Sequence, residues 1–159
     1  MALHYEWHGP EGAPLVMLVN GLLTDTSSWA PHLPRLAERH RCLLYDCRGQ
    51  GRSGKPEGPY PPRLHADDLA ALCAALDLPP ASFVGLSNGG NALLHFAADH
   101  PERVRRLVLS GVHAHADPLM RAKLASWASA MEAGAGHAAA LERPGELCAL
   151  ILEFLAEEA

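Results

Sequence analysis

Five apolar stretches of the sequence predict β-strands. They cover residues 3–7, 15–20, 42–46, 82–86 and 104–110. All but the first are nearly continuous apolar runs, without regular alternation of apolar and polar residues, which is typical of strands covered on both faces. The pattern therefore predicts a parallel sheet between layers of helices.

Helical patterns separate these strands. Residues 29–39 are weakly periodic and contain two prolines in the first turns, and apolar residues recur at i, i+3, i+4 and i+7 from Leu69 to Leu76. Residues 88–100 form a third helical segment, which ends before a proline. Strands that alternate with helices in this order are typical of the α/β class, with a mostly parallel, doubly wound sheet flanked by helices.

The alternation of strands and helices stops after Ser110. Asp117 precedes Pro118 in a pattern typical of a helix N-cap followed by proline at the first helical position, and Pro144 begins a further apolar helical stripe. We expect a single domain, residues 1–159, in which residues 1–116 form the sheet core and residues 117–159 form a C-terminal helical segment.

Charge and hydropathy exclude several kinds of partner. The net charge is -5 and 48% of the residues are hydrophobic, so the chain has none of the basic excess of a nucleic-acid-binding protein. The longest apolar runs are far shorter than the ~20 residues that cross a bilayer, and no secretory signal is visible. We therefore expect a cytoplasmic protein that binds neither nucleic acid nor membrane.

The four cysteines and ten histidines do not form a pattern typical of metal binding. The cysteines lack zinc-ligand spacing, and His113 and His115 have only Asp117 as a nearby carboxylate. We expect no metal and no cofactor.

Ser87 lies at the centre of a G-x-S-x-G motif, in the stretch VGLSNGG, between a predicted buried strand and a helix. A sharp turn at such a junction exposes the serine as a nucleophile, and the small neighbours Gly85 and Gly89 allow the chain to bend tightly. The N-terminus of the following helix would favour a developing oxyanion. The alternative is that Ser87 only caps that helix.

The loop from Gly49 to Gly54 has the spacing G-x-G-x-x-G. It leads into a proline-rich segment and not into a helix, so a dinucleotide pyrophosphate would meet no helix N-terminus. We therefore expect Asp46 and Arg48 to hold this loop in shape without taking part in chemistry.

Three segments together resemble the α/β-hydrolase superfamily, in particular its esterases and enol-lactonases: NGLL at residues 20–23, DCRGQGRS at residues 46–53, and the motif around Ser87. The segment at residues 99–109 is also similar to that family. The resemblance implies an oxyanion hole formed by the backbone N–H groups of Leu22 and Asn88. The family commonly has eight strands and a helical cap, so the resemblance implies a truncated α/β-hydrolase fold that lacks most of the cap and the last strands.

The same resemblance implies His137 as the catalytic base, because the run GAGH at residues 134–137 is similar to the family's last motif. A simple loop histidine is the alternative, since the residues before Gly134 have a helical pattern where the family has a strand. Asp117 is the candidate acid, with a helix N-cap as its alternative role. We expect His95, His113 and His115 to be surface or packing residues.

The residues and the resemblance together predict a serine hydrolase that acts on small carboxylic esters or lactones through an acyl-serine. One alternative is a weakly active or inactive hydrolase-like scaffold that oligomerises or binds a partner through an exposed sheet edge. Another is acyl transfer or perhydrolysis at the same serine. Because the strand at residues 104–110 would leave an open edge, we expect a homo-oligomer, most simply a dimer.

Overall fold

The computed structural model describes residues 1–112 and 144–156, which form a five-stranded sheet with helices on both faces. The strands are β1 (Tyr5–His8), β2 (Leu15–Val19), β3 (Arg41–Tyr45), β4 (Ala81–Leu86) and β5 (Val104–Ser110). Their order in the sheet is β1-β3-β2-β4-β5. β1 pairs antiparallel with β3 and the other pairings are parallel, so the predicted mostly parallel, doubly wound sheet is confirmed.

The α-helices of the described residues are α1 (Leu33–Leu36), α2 (Pro62–Ala75), α3 (Asn88–Asp99) and α4 (Pro144–Ala156). Short 3-10 helices cover Thr26–Trp29 and Pro101–Arg103. None of these helices has the length and apolar character that crossing a membrane requires.

The prediction of one helix over residues 29–39 is wrong. Thr26–Trp29 is a 3-10 helix and only Leu33–Leu36 is α-helical. Proline has no N–H to donate to the carbonyl four residues earlier, so it is tolerated only in the first turn of a helix. Pro34 therefore requires the helix to begin near Leu33, and a continuous helix from Trp29 cannot form.

The sheet separates two apolar clusters. Because successive side chains of a strand point to opposite faces, each buried strand contributes to both clusters. One cluster joins the sheet to α2 and α3, and its members include Met17, Leu43, Phe83, Leu69 and Phe96. The other joins the sheet to α1 and α4, and its members include Leu18, Leu44, Val84, Leu36 and Ile151. Burial on both faces explains why these strands are continuous apolar runs.

β5 is the outermost strand of the described sheet beyond β4. All but one of its residues are half-buried, whereas most residues of β2, β3 and β4 are fully buried. Arg106 on β5 donates to the carbonyl oxygen of Phe154 and its guanidinium lies over the Phe154 ring, which ties α4 to this strand. Because β5 is last in the strand order, its outer edge has no partner strand within residues 1–112 and 144–156.

Candidate active site

The strand register brings the ends of β2, β4 and β5 together at one edge of the sheet. Val19 lies opposite Gly85, and Leu86 lies opposite Ser110. The chain segments that leave these parallel strands therefore emerge side by side, and Ser87 lies at the centre of them. Ligand sites of open α/β sheets form at this edge, beyond the carboxyl ends of the strands.

Ser87 has a backbone conformation that non-glycine residues rarely adopt. Its φ is 50° and its ψ is -118°, at the junction between β4 and α3. Such a conformation costs of order 1–3 kcal/mol, and surrounding structure must hold it in place. The Ser87 N–H donates to the Ser110 carbonyl at 2.8 Å, and the Ser87 carbonyl accepts from the Asn91 N–H at 3.0 Å. The predicted sharp turn between strand and helix is therefore present.

The alternative role for Ser87, a helix cap, is wrong. Ser87 occupies the N-cap position of α3, but its side chain makes no capping hydrogen bond. A serine cap typically stabilises a helix by about 1 kcal/mol. Ser87 forgoes this stabilisation and in addition adopts a strained backbone, so helix stability does not explain a serine at this position.

Glycines on both sides of Ser87 make the turn possible. A Cβ on Gly85 would lie 2.6 Å from Cδ1 of Leu93 and 2.7 Å from the Gly90 Cα. A Cβ on Gly89 would overlap the backbone carbonyl groups of Val19 and Asn20. No real Cβ has such contacts, so only glycine allows α3 to approach β4 and the end of β2 this closely.

One predicted oxyanion-hole residue, Asn88, follows Ser87 directly, and the other, Leu22, follows a residue that lies beside Ser87. Asn88 is the first residue of α3, and the first backbone bond of that helix is donated by Asn91, so the Asn88 N–H lies outside the helical ladder. Gly21 lies beside the turn, because a Cβ on it would be 3.6 Å from the Ser87 Cβ. Leu22 follows Gly21 directly. Their role as oxyanion donors stays a prediction.

The segment after β2 is anchored at its start by a buried side chain. Asn20 is fully buried; its carboxamide donates to the Tyr45 carbonyl at 3.1 Å and accepts from the indole N–H of Trp29 at 2.7 Å. Leu22 and Leu23, by contrast, are 48% and 67% exposed, and Leu23 has a positive φ of 58°. We use the name oxyanion loop for residues 20–25.

The expectation that Asp46 and Arg48 shape the glycine-rich loop agrees with their contacts. The buried Asp46 carboxylate accepts from the N–H groups of Thr26, at 2.8 Å, and Arg52, at 2.7 Å. The Arg48 guanidinium makes a bidentate pair with Asp68 of α2 at 2.7 and 2.6 Å. Asp46 thus joins the oxyanion loop region to the loop after β3, and Arg48 joins that loop to α2.

Ser87 lines neither of two cavities that have walls in the described part of the chain. One, of about 230 Å³, lies between the oxyanion loop and the loop after β3, and its lining is Leu23, Thr24, Asp25, Gly49, Gln50 and Gly51. Hydrogen bonds from the Ser27 side chain and N–H lower the pKa of Asp25, so this cavity has an anionic group at its wall. The other, of about 380 Å³, lies between α1 and α4.

The predicted base His137 and acid Asp117 lie outside the described residues, as do His113 and His115. Among the described histidines, His95 is exposed on α3, as expected. Within residues 1–112 and 144–156, no group of three or more His, Cys, Asp and Glu side chains is arranged to hold a metal ion.

Sequence reasoning missed Gln50 as a residue of this region. Its side-chain oxygen accepts from the Thr24 N–H at 3.1 Å, across the 230 Å³ cavity wall, and the residue is only 8% exposed. The signal in the sequence is weak: a polar side chain between two glycines in RGQG.

Known proteins resemble the chain over most of its length. A model of the alpha/beta hydrolase fold family matches residues 14–146. A protein of Caulobacter vibrioides, provisionally named carbamate hydrolase RutD, is 40% identical over 122 residues, which are 75% of this chain and 45% of that protein.

Solved structures give the same likeness. The enol-lactonase from Burkholderia xenovorans LB400 is 40% identical, with a TM-score of 0.63 over 66% of this chain and 41% of the enol-lactonase. MGS-M2, an alpha/beta hydrolase enzyme from a Medee basin deep-sea metagenome library, is 28% identical, with a TM-score of 0.75 over 83% of this chain and 49% of that enzyme. The chain therefore spans less than half the length of each of these relatives.

Proposed function

The chain belongs to the α/β-hydrolase fold family, and from this premise we propose that it is a serine hydrolase of small carboxylic esters or lactones, with Ser87 as the nucleophile. The observation that carries the proposal is the strained backbone of Ser87 together with a hydroxyl that makes no helix cap. Strained residues of this kind concentrate at active sites. Hydrolase chemistry in general is supported by the family and by the names of the relatives.

In the proposed reaction the Ser87 hydroxyl oxygen attacks the substrate carbonyl carbon while its proton passes to a base. The carbonyl oxygen becomes an oxyanion, which the N–H groups of Leu22 and Asn88 stabilise. The tetrahedral intermediate then releases the alcohol, which takes the proton from the base, and an acyl-serine remains. Water attacks the acyl-serine by the same steps, releases the acid and restores Ser87.

We assign the base to His137 and the acid that orients it to Asp117. An imidazole is suited to this role because its ordinary pKa lies near neutral pH. The acid would fix the histidine tautomer and stabilise the imidazolium. These two assignments rest on the family resemblance.

The names of the relatives bear on the substrate class. One relative is named for carbamates and another for an enol-lactone. Carbamates, esters and lactones all contain a carbonyl carbon bonded to an oxygen leaving group, so the same serine attack serves all three. We propose esters or lactones because donation from the nitrogen lone pair makes the carbonyl carbon of a carbamate less electrophilic than that of an ester or a lactone.

The test compares the hydrolysis of p-nitrophenyl acetate and a small lactone by wild type, Ser87→Ala and His137→Ala. We expect no turnover above background in Ser87→Ala and a loss of about 10²–10⁴-fold in kcat for His137→Ala. Arg48→Met is the matched control, because Arg48 contacts Asp68 and not Ser87. Turnover that is equal in wild type and Ser87→Ala would overturn the proposal.

A second candidate function is supported by the half-buried edge strand β5. In this alternative the chain is a weakly active or inactive hydrolase-like scaffold, and the outer edge of β5 pairs with a second copy of the chain. Unpaired edge strands readily add another strand. A stable dimer without Ser87-dependent turnover would favour this second function.

A further inference from the structure

The middle of the oxyanion loop is held less firmly than its start at the buried Asn20. Its two central side chains, Leu22 and Leu23, are 48% and 67% exposed, so apolar packing does not fix the backbone between them. The positive φ of Leu23 adds strain, which a loop without support would release by changing shape. Polar contacts must therefore fix the position of the Leu22 N–H.

Two hydrogen bonds close the turn that contains Leu22. The Thr24 hydroxyl donates to the Gly21 carbonyl at 3.0 Å, which holds the ends of the turn together. The Thr24 N–H donates to the side-chain oxygen of Gln50 at 3.1 Å, which ties the turn to the loop after β3. The first bond is internal to the turn, so of these two bonds the second is the one that fixes the turn relative to the rest of the molecule.

Empty space lies beside this second bond. The 230 Å³ cavity is lined on one side by Leu23, Thr24 and Asp25 and on the other by Gly49, Gln50 and Gly51. Thr26 is joined to Asp46 at 2.8 Å two residues further along the chain, where the backbone has already left the turn. Without the bond from Gln50, the turn would have room to move into the cavity.

Gln50 itself is buried on a loop whose backbone is held in place. It is 8% exposed, and its flanking Gly49 and Gly51 both have positive φ, at 80° and 46°. The Gly51 backbone packs against the buried Asp46 carboxylate, which accepts from the Arg52 N–H at 2.7 Å. The loop that carries Gln50 is thus fixed by a buried anion, while Leu22 and Leu23, in the loop whose Thr24 N–H donates to Gln50, are exposed.

We infer that Gln50 is a positioning residue, which sets the place of the Leu22 N–H through its hydrogen bond to the Thr24 N–H. The inference rests on the proposed function for its effect on turnover. A displaced oxyanion donor stabilises the transition state less, while the binding of the ground-state substrate is unchanged. The loss therefore appears in kcat and not in KM. Removal of one oxyanion donor costs about 10²–10³-fold in kcat, and its displacement costs less.

The test uses Gln50→Met, which keeps the size of the side chain but has no acceptor, and Gln50→Glu, which keeps an acceptor oxygen. Arg48→Met is the control, since it removes a polar side chain of the same loop whose partner is Asp68 and not Thr24. We expect Gln50→Met to lower kcat for p-nitrophenyl acetate by about tenfold to a hundredfold, with KM within about twofold. Gln50→Glu should recover most of kcat, and Arg48→Met should leave it unchanged.

Hydrogen exchange of the wild type and the same variants gives a readout that does not depend on turnover. The peptide that covers residues 20–26 should exchange faster in Gln50→Met than in wild type, and not in Arg48→Met. Unchanged exchange and unchanged kcat in Gln50→Met would overturn the role of Gln50, as would an equal loss in Arg48→Met. If Gln50→Met exchanges faster but the wild type has no Ser87-dependent turnover, the structural role of Gln50 holds and the proposed function is overturned.

Discussion

The backbone N–H of Ser87 donates to the carbonyl oxygen of Ser110 at 2.8 Å. This bond joins the turn after β4 to the last residue of β5, and it holds Ser87 at a φ of 50°. The strained backbone of the candidate nucleophile is therefore supported by the neighbouring strand.

Replacement of Ser87 by glycine should stabilise the fold relative to Ser87→Ala. A φ of 50° with a ψ of -118° is unfavourable for alanine but accessible to glycine, which has no Cβ. We expect Ser87→Gly to be more stable than Ser87→Ala by about 1–3 kcal/mol, which is the usual cost of such strain. Urea unfolding of both variants measures the difference, and a Ser87→Gly variant that is the less stable of the two would contradict it.

Replacement of Gly89 by alanine should destabilise the fold. The added Cβ would overlap the carbonyl groups of Val19 and Asn20, so β2 and α3 would have to separate. We expect a loss of about 1–3 kcal/mol, as for other overpacked sites. Gly145→Ala in α4 is the control, because a Cβ there would meet nothing within 4 Å, and it should be neutral or stabilising by up to about 1 kcal/mol.

Thermal or urea unfolding of the two glycine variants is the measurement. Equal stability of Gly89→Ala and Gly145→Ala would contradict the close approach of α3 to the end of β2.

Glu6 on β1 should make stability depend on acid pH. Hydrogen bonds from His4 first, then from Thr26 and His8, and the charge of Arg52 lower its pKa from 4.5 to about 2. A carboxyl with a lowered pKa in the folded state stabilises the fold fully above pH 4.5, and this contribution is lost as pH falls toward 2.

The measurement is the free energy of unfolding of wild type and Glu6→Gln from pH 7 to pH 2. We expect wild type to be the more stable at pH 7 and the difference to shrink between pH 4.5 and pH 2. A difference that stays constant over this range would show that the charge of Glu6 contributes nothing.

The mass of the protein in solution, measured by light scattering, tests the homo-oligomer that we expect from the unpaired edge of β5. We expect a mass near twice that of the 17.0 kDa chain at concentrations of roughly 10–100 μM, typical of moderate self-association. A monomer throughout that range would contradict a strand-paired dimer.

Much of the sheet was predictable from the sequence because its strands are buried on both faces. The apolar runs around Val16 and Val84 then leave little choice between strand and loop. The turn at Ser87 was predictable for a related reason, since only closely spaced glycines allow a strand to pass directly into a packed helix. These features depend on residues that are near one another in the chain.

The support from Gln50 was not predictable, because it depends on the approach of two loops. Gln50 and Thr24 are 26 residues apart, and their bond exists only once β2 and β3 have paired in register. The bounds of the helix predicted over residues 29–39 were wrong for another reason: its weak periodicity does not mark where the helix starts, and Pro34 favours a start near Leu33.

The most direct test of Ser87 as a nucleophile is covalent labelling with a fluorophosphonate, followed by mass spectrometry of the peptides. A phosphonate reacts with an activated serine and remains bound to it, so the modified residue can be read directly. We predict a single adduct on the peptide that contains Ser87, and none in Ser87→Ala. An unlabelled wild type, or a label that persists in Ser87→Ala, would contradict the account.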